Sequence, residues 1–153
     1  MSRRFLVGCA ALVALIHVGN PTSARAAEMV DLRVGCVLAS NSGQEFDQRL
    51  VALQPRFNRL FRYTSYSLVK EKRERVAMGA KMGFDVPGGR YLLIIPKELS
   101  KDGRLSLKVM LLEGSRPIVD TAVSLRTHST FLVAGPQHNE GALILSIGAE
   151  VAQ

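Results

Sequence analysis

Cysteine is scarce in this chain: its 153 residues contain two, Cys9 and Cys36. Cys9 falls in an N-terminal stretch that reads as removable, so Cys36 is expected to stand alone, with no intrachain disulfide and a fold that rests on its core. Histidine is nearly as scarce, with three in all. The two beyond the N-terminal stretch, His128 and His138, lack acidic or thiol companions at ligand spacing, so neither a metal site nor a cofactor is expected. H-E-x-x-H, C-x-x-C, G-x-S-x-G and P-loop patterns are missing. Gly88-Gly89 does not introduce a helix, which makes it a hairpin turn rather than a phosphate cradle. No tandem repeat or low-complexity segment occurs. These absences leave no catalytic constellation and point to a non-enzyme.

A long hydrophobic run is also missing. Phe5 to Val18 is apolar apart from His17, about 14 residues where a membrane span needs roughly 20. Ser2-Arg3-Arg4 precedes it, Asn20-Pro21 breaks it, and Ala24-Arg25-Ala26 follows as a small-x-small cleavage pattern. Residues 1–26 therefore read as a secretory signal peptide cut after Ala26. The lipoprotein-like Leu6-Val7-Gly8-Cys9 is rejected, because it sits at the start of the apolar run instead of its end. The expected mature protein is a single domain, residues 27–153, periplasmic or secreted, without a transmembrane segment. Removal of Arg3, Arg4 and Arg25 lowers the formal charge from +7 to +4, with 17 basic against 13 acidic residues. That excess implies no more than mild attraction to anionic surfaces.

What the chain has in quantity is alternation. Val30, Leu32, Val34, Cys36 and Leu38 take every second position, as do Leu105 to Leu111, Val119 to Leu125 and Leu143 to Val151. Period-two spacing sends such a set to one face of a sheet. Shorter runs at Met82–Val86 and Thr130–Ala134 join them. So does Phe61–Val69, rich in aromatic and β-branched residues. Tyr91–Ile95 is apolar on both sides, which predicts a central, sandwiched strand stopped by Pro96. The intervening turns are too short for parallel crossovers, so the neighbours should be antiparallel.

One helix interrupts this pattern. Ser42 and Glu45 have capping-box spacing, and Phe46, Leu50, Leu53, Phe57 and Leu60 form an apolar stripe at three- and four-residue steps. Pro55 either kinks this helix or ends it near Leu53, and the continuous stripe favours a kink. The expected fold class is α+β, mostly β: an antiparallel curled sheet or two-layer sandwich of about eight strands with one covering helix.

The candidate anion-binding surface comprises Arg49, Arg56, Arg59 and Arg62 around the helix, with Lys70, Lys72, Arg73 and Arg75 in the most charged run of the sequence. Glu71 and Glu74 dilute that run, and no aromatics interleave with it as stacking platforms, so nucleic acid is not an expected partner. Asp120 stands in mid-strand, where aspartate is disfavoured. An outward-facing role accounts for it. A hydrolase would need Asp120, His128 and His138 to converge.

Phe61 to Tyr66, Val86-Pro87-Gly88-Gly89-Arg90, Val119-Asp120-Thr121, Val133 to Pro136 and Ala142 to Leu145 together resemble small exported β-rich proteins of Gram-negative bacteria. That resemblance implies an envelope setting and brings no activity or catalytic residues with it. A fainter, local one is to the secretin domain of outer-membrane channels. It rests on Thr121-Ala122-Val123-Ser124-Leu125 followed by Phe131-Leu132-Val133-Ala134-Gly135-Pro136, without that domain's glycine turn or long channel-forming region. The functional expectation is a non-catalytic accessory or binding domain with an envelope protein partner. The alternatives are an anionic-surface binder for lipid, lipopolysaccharide or polysaccharide, and a small hydrolase. Oligomeric state is left open.

Overall fold

The computed structural model describes residues 26–152; the signal-peptide reading concerns a stretch that lies almost entirely outside them. Eight strands form two four-stranded antiparallel sheets. The strands are β1 (Met29–Ser40), β2 (Ser65–Ala77), β3 (Met82–Val86), β4 (Arg90–Leu99), β5 (Arg104–Glu113), β6 (Arg116–Arg126), β7 (Ser129–His138) and β8 (Gly141–Val151). The first sheet runs β2-β1-β8-β7, the second β3-β4-β5-β6. The chain leaves the first sheet after β2, meanders through the second, and returns with β7 and β8. The mostly-β sandwich with one covering helix is the observed architecture.

The alternation sorts the core as expected. Leu32, Val34 and Cys36 of β1 meet Leu143, Leu145 and Ile147 of β8 on one side and Phe84, Leu92, Ile94, Leu107 and Val109 of the second sheet on the other. Cys36 is fully buried here, and burial pushes its thiol up to about 11, so it is an inert part of the core. A second, smaller core lies on the other face of the first sheet. There Val37, Ala39, Tyr66, Leu68 and Ile144 meet Leu50 and Phe57 of the helical segment. Within it the Tyr66 hydroxyl is the one buried side-chain polar atom without a hydrogen-bond partner among the described residues.

Several local expectations change. The helix does not start at Ser42, whose hydroxyl pairs with that of Ser40 instead. Its N-cap is Asp47, a 3-10 turn covers Gln48–Leu53, and α1 (Gln54–Leu60) follows directly. Pro55 sits in the first turn of α1, where its missing N–H costs nothing, so it opens a new helix instead of kinking an old one. The stripe is shortened at both ends: Phe46 leaves the helix to bridge Tyr66 in parallel, and Leu60 is 52% exposed. Strand β2 begins at Ser65, not Phe61, and runs straight through the charged stretch Lys70–Arg75. Strand β4 continues past Pro96, with an irregularity between Pro96 and Glu98. It lies inside its sheet, but of Tyr91–Ile95 it is Leu92 and Ile94 that enter the core between the sheets, with Ile95 buried outside that cluster. Leu93 and Tyr91 face outward, because the helix covers the other sheet.

One irregularity decides much of the surface. Between Cys36 and Val37 the β1–β2 register slips, leaving Val69 without a partner. An extra residue reverses the facing of everything beyond it. Lys70, Lys72 and Glu74 therefore share the core-side face of β1, while Glu71, Arg73 and Arg75 share the outer one, opposite Gly35, Arg33 and Asp31.

Candidate functional site

Two sheets have four edges, and each edge strand carries unpaired backbone groups that invite a partner strand. The chain's own groups cover part of three of the four, and the rest of the β2 edge, Val69–Ala77, carries the charged run Lys70–Arg75. At β2, the Tyr66 N–H donates to the Glu45 carbonyl, the Asp47 N–H to the Tyr66 carbonyl, and the Leu68 N–H to an Asp47 carboxylate oxygen. Arg49 completes the row, its Nη2 donating to the Leu68 carbonyl at 2.9 Å. Asp47 and Arg49 thus supply the acceptor and donor that a neighbouring strand would. The five-residue β3 is short, and Lys72 Nζ and Lys70 Nζ donate to its Gly83 and Asp85 carbonyls at 2.9 and 2.8 Å. Strand β7 is broken by a register shift between Ala134 and Gln137, at Gly135-Pro136, and Arg56 of α1 donates to its Thr130 carbonyl.

Strand β6 differs. It spans 11 residues, with Asp120 the one charge between Pro117 and Arg126. It pairs with β5 alone. Among the described residues, only the Ser129 hydroxyl reaches it from outside β5, at the Arg126 carbonyl where the strand ends. Thr121, on the core-side face opposite Val109, is exposed at this seam. Among the described residues this is the long edge with the least cover and the least charge.

The second feature is a recess of about 590 Å³ on the outer face of the first sheet, on the half that the helix leaves uncovered. Register places Arg73, Arg33, Gly148 and Thr130 in one row across all four strands. The adjoining row is Arg75, Asp31 and Glu150, with His128 beyond them in the β6–β7 turn. Asp31 accepts from Arg75 Nε and Nη2 at 2.6 and 2.8 Å, which holds its carboxyl below the ordinary range. Glu71 takes Arg73 at 3.1 Å, and Glu150 takes His128 at 3.2 Å. Arg33, on the central strand β1, has no ion pair among the described residues.

The eight basic residues singled out in the sequence are divided among these places. Arg49 and Arg56 bond to edge backbone, as do Lys70 and Lys72. Lys70 also lies 4.8 Å over the Phe84 ring. Arg73 and Arg75 line the recess. Arg59 and Arg62 are exposed on and just after α1, without a partner among the described residues. Sequence reasoning missed Asp47 and Arg33. Asp47 precedes the helical segment as an N-cap should, a signal obscured by the Ser42–Glu45 spacing. Nothing local distinguishes Arg33 from any outward-facing strand residue.

Asp120, His128 and His138 do not converge. Asp120 is on the outer face of the second sheet, 2.6 Å from Lys108 Nζ. The two histidines flank opposite ends of β7, roughly 30 Å apart by strand rise. No three His, Cys, Asp or Glu side chains among the described residues lie close enough to hold a metal ion. No described helix is long and apolar enough to cross a membrane. Comparison with known proteins finds no matching family model, no similar characterised sequence and no matching solved structure.

Asp47 gives an edge test through pH. The Arg49 guanidinium, with the N–H groups of Arg49 and Leu68, holds its carboxyl well below the usual carboxylate range. The folded chain therefore binds this proton more weakly than the unfolded one. The stability it contributes is complete above about pH 5 and is lost as pH falls through the folded value. Asp47→Ala is expected to cost about 2 kcal/mol near neutrality, from the lost cap and the Leu68 bond. In urea unfolding the gap from the parent should narrow as the medium is acidified. A gap that stays constant down to about pH 2 would rule out this role.

Proposed function

We propose that this chain is an exported, non-catalytic accessory domain of the bacterial envelope that docks an extended segment of a partner protein along β6. The observation that carries the reading is the unequal treatment of the four edges. Three are capped in part, interrupted or heavily charged, whereas β6 is long, nearly uncharged and open. Strand addition at such an edge gains backbone hydrogen bonds for affinity, and the alternate side chains supply specificity. The signal-peptide pattern and the resemblance to small exported proteins support the setting.

The test is photo-crosslinking in envelope extract, with the chain from Ala27 as bait and the crosslinker at Ser124. Thr121→Lys serves as the edge variant, since an inward-pointing lysine is a standard block to strand pairing. Thr121 is exposed, so the fold should survive the change. One envelope protein, captured at Ser124 and lost by at least about tenfold in Thr121→Lys, is the expected result. Equal capture by the variant, with its circular dichroism unchanged, would refute docking at β6.

A further inference from the structure

We propose that the recess around Arg33 is a binding site for a single phosphate group carried by a small ester or a lipid headgroup. The argument begins with a like-charge contact. Arg33 and Arg73 are directly opposite on β1 and β2, where facing side chains have Cβ atoms about 5 Å apart and like charges repel. The carboxylates of this face do not relieve Arg33: Asp31 is held by Arg75, Glu71 by Arg73 and Glu150 by His128. Arg33 itself has no ion-pair partner among the described residues, and it stands beside a second arginine.

The neighbours on the other side leave room. Gly148 follows Arg33 in the row, and a Cβ built there meets nothing nearer than the Thr130 hydroxyl at 3.7 Å. The helical segment covers only the Val37–Ile144 half of the sheet, so this half stays open as the recess. Two arginines at facing register positions, with a hydroxyl across a glycine floor, suit a tetrahedral oxyanion, which Arg recognises by paired N–H donors. Asp31 and Glu150 in the next row set the charge limit. They confine the positive potential to one anion and repel an extended polyanion, so an isolated phosphate fits and a nucleic-acid backbone does not.

The experiment is a titration of the chain from Ala27, which carries every described strand, followed by amide NMR. The probes are inorganic phosphate, glycerol phosphate, and phosphatidylcholine vesicles with and without phosphatidylglycerol. Saturable shifts at Arg33, Gly148 and Thr130 are expected with one or more phosphate probes. Arg33→Gln should weaken that binding by about tenfold or more, and Arg73→Gln should do the same. Both side chains are exposed, and the second variant keeps the test open should the first fail to fold. Binding of the soluble probes alone assigns a small phosphate ester; binding confined to phosphatidylglycerol vesicles and lost in Arg33→Gln assigns a headgroup. The proposal is overturned if no probe binds saturably, if shifts centre on Arg59 and Arg62, or if both folded variants bind as the parent does.

Discussion

Phe57→Ala is expected to lower stability by about 3–5 kcal/mol, the usual range for truncating a fully buried aromatic residue. Phe57 is 0% exposed and stands at the centre of the smaller core. Its ring centroid lies 4.8 Å from that of Tyr66, 6.0 Å from Phe61 and 6.3 Å from Phe46. Phe57 is the one buried side chain of the seven-residue α1, and Leu50 the one of the preceding 3-10 turn. A helix this short has no independent stability, since nucleation costs more than its few hydrogen bonds return. Tertiary anchoring therefore keeps it in place. Removing the Phe57 ring should release the helical segment from the first sheet and expose Val37, Ala39 and Ile144. The larger core between the sheets, which contains none of these residues, should persist. Hydrogen exchange tests this: amides from Phe46 to Phe61 should lose protection while those of β5 keep theirs. A loss in urea unfolding below about 1 kcal/mol would show that the helical segment is not held by Phe57.

Gly141→Ala is the second large effect, expected at about 3 kcal/mol although it adds a single methyl group. Gly141 begins β8 and pairs with Ser40 of β1 and His138 of β7. A Cβ built there collides with the Ala39 carbonyl oxygen and comes within 3.2 Å of its carbon and of the Ser40 Cβ. The obstacle is the backbone of a central strand, so no rotamer change can relieve it. Either β1 and β8 move apart at this end or the β7–β8 turn rebuilds. Gly148→Ala in the same strand is the control, since its Cβ would meet only ordinary contacts. Gly148 has no positive φ, so alanine there should be neutral or stabilise by up to about 1 kcal/mol. Chemical denaturation of both variants decides the matter. Equal stabilities would mean that the Gly141 site relaxes freely and that the close approach has no energetic weight.

These two sites also mark how far the sequence could be read. Phe57 was visible as part of an apolar stripe, because a 3.6-residue period is a local property. The loss of Leu60 and Phe46 from that stripe was not. Phe46 is drawn out of the helix by its bridge to Tyr66, and that attraction is tertiary. Gly141 gave no sign at all, since its requirement comes from the Ala39 carbonyl, far away in the chain. The basic residues behaved in the same way. Their number and positions were legible, but Arg49 was claimed by the edge of β2 and Arg56 by β7.

Sequence alone determined most of the strands and the core-facing sides of β1, β5, β6 and β8, because alternation at period two depends only on neighbours along the chain. It also determined that the fold is mostly β with one helical interruption. The tertiary structure decided which strands became edges and how much of each edge the chain itself covers. It also decided which arginines met. The physical reason is register. One unpaired residue, Val69, turns Arg73 and Arg75 outward beside Arg33 and Asp31, and sends Lys70 and Lys72 to the carbonyls of β3. Such a slip costs little locally, yet it reverses every side chain beyond it, so no local pattern could announce it.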